Sequence, residues 1–173
     1  MRKFLGFAST SLVASAFIVS LSAQAKPLTV ELADAAGKPV GSATITGTKT
    51  GVSIALSLKG LPAGAHAIHI HQTAKCEAPG FTTAGPHFNP ESKKHGLENP
   101  EGHHAGDMNN FTVAADGTAK AVVTDDSVTL TDGPHSIFTG GGTALMIHAG
   151  PDDMKSDPAG NAGARIACGT IVK

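Results

Sequence analysis

The residues of this chain with the most chemical capacity are its histidines. Nine occur among 173 residues, against no tryptophan and no tyrosine. His69 and His71 are two apart in Ala67-Ile68-His69-Ile70-His71. On a strand both imidazoles project from one face, while Ile68 and Ile70 turn to the other and into a core. Two ligands on one rigid element suit chelation of a single ion, although such a pair alone is as readily a solvated strand face. The other histidines weigh against that. His87 lies in Gly85-Pro86-His87-Phe88-Asn89-Pro90, where glycine and proline fix the backbone direction; His95 follows, and His104-Ala105-Gly106-Asp107 adds a carboxylate. Three imidazoles and one aspartate form a closed four-ligand set of the kind Zn²⁺ takes in structural sites. His148 ends the run Leu145-Met146-Ile147-His148, with Leu145 and Ile147 on the opposite face, so it can join His69 and His71 across a sheet. An all-imidazole set suits copper, which tops the divalent affinity order.

Those ligands need elements to hold them, and the surrounding sequence reads as short strands. Leu28-Thr29-Val30-Glu31-Leu32 alternates; Val40–Thr48 follows a turn cluster; Val52, Ile54, Leu56 and Leu58 mark one face at period two after Lys49-Thr50-Gly51. Gly60-Leu61-Pro62-Ala63-Gly64 breaks the run before the His69 strand, and later strands are expected at Phe111–Ala115, Thr118–Thr124, Thr143–Ala149 and Arg165–Val172. With 21 Gly and 10 Pro and no sustained helical period, about eight strands in an antiparallel sandwich or barrel are predicted. Residues 72–110 and 150–164 fall outside that rhythm. The first holds His87, His95, His103, His104 and Cys76, so metal and a disulfide, rather than an apolar core, are expected to order it.

Composition excludes several functions. A charged fraction of 16% rules out a disordered polyelectrolyte, and a net charge of −1 without a basic block leaves no footprint for nucleic acid. Residues 1–25 read as a secretory signal: Arg2 and Lys3 precede an apolar run from Phe4 to Leu21, and Ala23-Gln24-Ala25 is a small-x-small cleavage pattern. Ser9, Ser11, Ser15 and Ser20 interrupt that run, which argues against a membrane anchor and for one mature domain, residues 26–173. In an oxidising compartment the lone pair Cys76 and Cys168 is expected to be a disulfide.

The motifs taken together resemble the copper/zinc superoxide dismutases of the bacterial, exported kind. The matching pieces are His69-Ile70-His71, Gly85–Pro90, Lys94-His95-Gly96, His104-Ala105-Gly106-Asp107, Gly160-Asn161-Ala162-Gly163 and Arg165-Ile166-Ala167-Cys168-Gly169, spread over essentially the whole mature chain. The resemblance implies an all-β, eight-stranded Greek-key barrel with two long functional loops, and one copper and one zinc ion per subunit. It implies that His69, His71, His87 and His148 bind copper, that His87, His95, His104 and Asp107 bind zinc, and that His87 bridges the two. Asp152 matches the carboxylate that ties His69 to His95, and Arg165 the guanidinium beside copper. The implied reaction is dismutation of superoxide to oxygen and hydrogen peroxide, with copper alternating between oxidation states, His87 supplying a proton to the peroxide and Arg165 drawing in the anion. The implied location is the periplasm, with no membrane insertion after cleavage, as monomer or homodimer. His66, His103 and His135 match no ligand position and read as structural or solvated. The segment 150–164 is short beside the eukaryotic pattern, and Lys93, Lys94 and Lys155 are candidates for steering the anion. The competing reading is a non-catalytic periplasmic copper-binding or storage protein, which would use the same imidazoles but would not need Arg165.

Overall fold

Period-two alternation becomes strand wherever the sequence carries it. The computed structural model describes residues 26–173, so the signal expected at 1–25 lies outside the described residues. Strand β3 (Val52–Leu58) buries Val52, Ile54, Leu56 and Leu58 and turns Ala55 and Ser57 outward. Strands β1 (Leu28–Asp34) and β2 (Pro39–Gly47) precede it, and β4 (Gly64–His66), β5 (Ile68–His71), β6 (Phe111–Val113), β7 (Ala119–Asp125), β8 (Thr143–His148) and β9 (Arg165–Ile171) follow. All pairings between them are antiparallel.

Seven strands form one curled sheet in the order β5-β8-β9-β1-β2-β3-β7, and β4 pairs separately with β6. The expected all-β antiparallel class is therefore observed, with nine strands rather than eight. The additional strand arises because the chain changes ladders at Ala67: residues 64–66 pair with β6 and residues 68–71 with β8, while the Ala67 amide bonds the Gly150 carbonyl at 2.8 Å. The interior is aliphatic, with Ile45, Ile54, Ile68, Ile70, Leu145, Ile147 and Ile171 fully buried. Burial of such side chains contributes about 1.5–3 kcal/mol each.

Three connections are long: residues 72–110, 126–142 and 149–164. Residues 126–142 close one end of the sheet by burying Val128 and Ile137 completely, which reads poorly in sequence because those two apolar positions are isolated among turn residues. Residues 72–110 contain only a short 3₁₀ turn, Thr82–Ala84, yet they are anchored on the free edge of β5. Phe88 and Gly106 bond Ile70 from both of its main-chain groups, at 2.8 and 2.9 Å, and Gln72 bonds the Pro86 carbonyl at 3.0 Å. Only glycine fits at 106, where a Cβ would collide with the Ile70 carbonyl. Cys76 and Cys168 are disulfide-bonded, with Cα atoms 5.6 Å apart, and fasten this segment to β9. No helix among the described residues is long and apolar enough to cross a membrane.

Candidate metal centre

Strand β5 sets two imidazoles by parity. Ile68 and Ile70 enter the main core, while His69 and His71 occupy the opposite face and are likewise fully buried. Across the ladder His69 faces Met146 and His71 faces Ala144. His148, two residues beyond Met146, shares that face, at a register shift where it pairs with Arg165. The segment 72–110 then folds back: His87 bridges to His71 and Asp107 to His69 in isolated antiparallel contacts. His69, His71, His87 and His148 so converge that one ring nitrogen from each lies within 4.8 Å of the others, and one atom each of His87, His95, His104 and Asp107 converges equally. His87 belongs to both sets.

The hydrogen bonds show which nitrogens are committed. His69 Nε2 donates to Asp152 Oδ2 at 2.8 Å, His71 Nδ1 to the Gly85 carbonyl at 2.8 Å and His148 Nδ1 to the Gly163 carbonyl at 3.2 Å. The nitrogens left over, His69 Nδ1, His71 Nε2, His148 Nε2 and also His87 Nε2, are buried and without partners. Four lone pairs aimed into one buried space are costly unless a cation accepts them. Burial pushes all four imidazoles down, His71 to about 2 and His87 and His148 to about 4, so they are neutral, as ligation requires. The residues present therefore fit a metal ion, and an all-imidazole donor set suits copper.

The second set closes around Asp107. Its Oδ1 lies 2.9 Å from His87 Nδ1, 3.0 Å from His95 Nδ1 and 3.4 Å from His104 Nδ1. Its Oδ2 accepts the Gly96 and His104 amides at 2.9 and 3.0 Å. Burial acts to raise this carboxyl, but the hydrogen bonds from His104, His87, His95 and Gly96 prevail and hold it far below the usual carboxylate range. Three imidazole nitrogens and a carboxylate oxygen brought this close are an N₃O donor set of the kind that fits zinc.

Asp152 lies between the two sets. It accepts from His69, and His95 Nε2 stands 3.0 Å from it. Gly160 covers this pair with φ +61°, and a Cβ there would overlap both the Asp152 carboxylate and His95. Arg165 donates from its two terminal nitrogens to the Phe81 and Gly85 carbonyls, at 2.7 and 2.8 Å. Its charge reaches His71 and His148, adding to the effect of burial. The three lysines expected as steering candidates are each paired with a carboxylate: Lys93 with Glu91 at 2.6 Å, Lys94 with Asp157 at 3.4 Å and Lys155 with Glu98 at 2.9 Å. His66 is buried and hydrogen-bonded at both ring nitrogens, whereas His103 and His135 are partly exposed and outside both sets.

Sequence reasoning does not single out Asn110, whose side chain bonds the main chain of Asp152, or Asp157, whose Oδ1 accepts the His95 amide at 2.8 Å. Nor does it identify the Gly85 and Gly163 carbonyls that set the tautomers of His71 and His148. The Gly160–Gly163 motif marks the region without revealing which group acts.

Comparison with known proteins gives a consistent result. The family described as copper/zinc superoxide dismutase (SODC) matches residues 40–171. "Superoxide dismutase [Cu-Zn] 2" of Aquifex aeolicus (strain VF5) is 49% identical over 175 residues, covering 99% of both chains. Among solved structures, a variant of a SOD-like protein from Bacillus subtilis superposes with a TM-score of 0.81 at 38% identity, over 84% of this chain and 97% of that one. The Cu/Zn superoxide dismutase from Brucella abortus gives 0.68 at 29% identity, over 84% and 99%.

Proposed function

Because the chain belongs to the copper/zinc superoxide dismutase family, we propose that its two converging ligand sets divide one copper and one zinc ion between them. The activity is dismutation: two superoxide anions and two protons yield oxygen and hydrogen peroxide. His69, His71, His87 and His148 hold copper, and His87, His95, His104 and Asp107 hold zinc. Bound copper supplies the one-electron exchange with superoxide, while zinc, with no accessible redox step, supplies charge and order.

The remaining work falls to side chains of this chain. His87 presents Nδ1 to one set and Nε2 to the other, so Nε2 is the atom at which a proton is held for the departing peroxide. Asp152 and the Gly85 and Gly163 carbonyls keep the other imidazoles in the tautomers that leave their lone pairs inward. Arg165 is held by carbonyls rather than by a carboxylate, so its charge is available to a small anion. The paired lysines contribute little to steering by comparison.

The observation that carries this reading is the convergence of four buried, partnerless imidazole nitrogens beside Arg165. A copper-storage protein would share the nitrogens but have no use for the arginine. Both ligand sets come from one chain, so the centre is complete in a monomer as in a homodimer. We also read residues 1–25 as an export signal and place the mature protein, residues 26–173, in the periplasm; the disulfide suits that oxidising compartment.

The test measures metal content and superoxide decay by pulse radiolysis on the same samples, at several salt concentrations, for wild type and Arg165→Glu. One copper and one zinc per chain are expected in both proteins, with turnover largely lost and its salt dependence altered in the variant. Unchanged turnover at full metal loading would remove Arg165 from the mechanism.

A further inference from the structure

Three histidines stand outside the centre, and they are not alike. His66 has both nitrogens engaged, 2.8 Å from the His148 carbonyl and 2.8 Å from the Pro62 carbonyl. His103 commits only Nδ1, and His135 commits Nδ1 to a carbonyl while its Nε2 stands at ion-pair distance from Glu91. His103 Nδ1 donates to the His104 carbonyl and His135 Nδ1 to the Ser127 carbonyl, both at 2.7 Å. A carbonyl only accepts, so in each neutral ring the proton sits on Nδ1 and the lone pair on Nε2. Metal-binding imidazoles are prepared in the same way.

Both rings line one open cleft of about 380 Å³, together with Glu91, Lys93 and Asp126. Glu91 Oε1 lies 3.5 Å from His135 Nε2. Lys93 first, then His135 and His103, hold the Glu91 carboxyl below its ordinary range, so it is ionised with both imidazoles nearby. Two imidazoles and a carboxylate, brought from two separate connections, residues 72–110 and 126–142, line the same cleft.

We propose that this cleft is a third metal site, open to solvent, which captures a borderline divalent cation such as Zn²⁺ through His103, His135 and Glu91. Two imidazoles select against Mg²⁺ and Ca²⁺, which take oxygen donors. Lys93 opposes a cation, but it holds Glu91 Oε2 only as an exposed surface pair, and such pairs exchange readily. Asp126 adds a further negative charge on the same wall. The three side chains line the cleft without converging on a single point, so the exposed Glu91 side chain closes the site over rings held through Nδ1, and the ion is bound exchangeably, unlike in the buried centre. The site is separate from the dismutation chemistry and does not rest on it.

The experiment uses protein already loaded with copper and zinc, so that the buried centre is full, and titrates it calorimetrically with Zn²⁺. One further Zn²⁺ per chain is expected, with no corresponding uptake of Ca²⁺. Glu91→Gln, at an exposed position, should weaken that binding about tenfold, and His135→Ala should abolish it, while the central copper and zinc and the superoxide activity are retained. Absence of a further equivalent in wild type, or its survival with unchanged affinity in both variants, would overturn the proposal.

Discussion

Asn110 grips Asp152 by both of that residue's main-chain groups. Its Nδ2 donates to the Asp152 carbonyl at 2.9 Å, and its Oδ1 accepts the Asp152 amide at 2.8 Å. A side chain thereby makes the pair of bonds a neighbouring strand would make. Asp152 in turn accepts from His69 and His95. The stretch from Asp107 to Asn110 therefore supplies both a carboxylate to one ligand set and the clamp on the carboxylate that joins the two.

Removing Asp152 should cost both metals. Asp152→Ala leaves His69 Nε2 and His95 Nε2 without their acceptor, and copper and zinc affinities are expected to fall about 10–100-fold in chelator competition. Asn110→Ala keeps the carboxylate but frees its backbone, giving a smaller loss of the same kind and faster hydrogen exchange at the Asp152 and Met154 amides. Wild-type affinities and exchange rates in Asn110→Ala would show that the clamp is inert.

The two ligand sets should separate by mutation. His148 belongs only to the all-imidazole set, so His148→Ala should lose copper and activity and keep zinc. Asp107→Ala should do the reverse, weakening zinc and loosening residues 72–110. Metal analysis with hydrogen exchange reads both; equal loss of the two metals in either variant would contradict the partition.

The disulfide joins residues 92 apart in sequence. Chain entropy for a loop of that length corresponds to about 4–5 kcal/mol, and removal of native disulfides costs about 2–5 kcal/mol. Cys168 lies on β9 close to Arg165, whose guanidinium holds the Phe81 and Gly85 carbonyls of the segment that Cys76 anchors. Reduction should therefore lower the unfolding free energy obtained from urea denaturation by an amount in that range and, secondarily, reduce turnover. A free-thiol assay on unreduced native protein should find none.

Asp125 should make stability fall as pH rises. Burial pushes its carboxyl up to about 7, against the bond its Oδ1 accepts from the Ser127 amide at 2.8 Å. Its Oδ2 is buried without a partner. The unfolded chain loses this proton near the ordinary carboxylate range, while the folded chain keeps it to about pH 7, so stability declines across that interval and levels off above it. Asp125→Asn removes the titration. Unfolding free energies from urea denaturation at pH 5 and pH 8 should show the variant gaining on wild type by about 2 kcal/mol more at the higher pH. A difference independent of pH would mean that Asp125 does not titrate in this window.

Sequence makes legible what lies along one dimension. Alternation at Val52, Ile54, Leu56 and Leu58 identifies β3 because one face of a strand must be apolar. Gly60-Leu61-Pro62-Ala63-Gly64 reads as a break before the His69 strand, yet residues 64–66 form β4, a three-residue strand whose partner is β6. The buried Val128 and Ile137 carry no periodic signal at all.

The site divides along the same line. By itself the sequence determined which donors exist: imidazoles at 69 and 71 on one strand face, histidines and an aspartate at 87, 95, 104 and 107, and an arginine at 165. Those are statements about residue type and short-range parity, which side chains carry locally. Only the tertiary structure decided which nitrogen of each ring is free, because that depends on the Gly85 and Gly163 carbonyls and on Asp152, and a backbone carbonyl has no residue-type signature. It decided likewise that Lys93, Lys94 and Lys155 are each paired with a carboxylate while Arg165 is held by carbonyls, and that His103 and His135 line one cleft. Pairing between distant loops is set by how the chain folds back on β5, where main-chain bonds at Ile70 and Gln72 place His87 and Asp107 over the strand that carries His69 and His71.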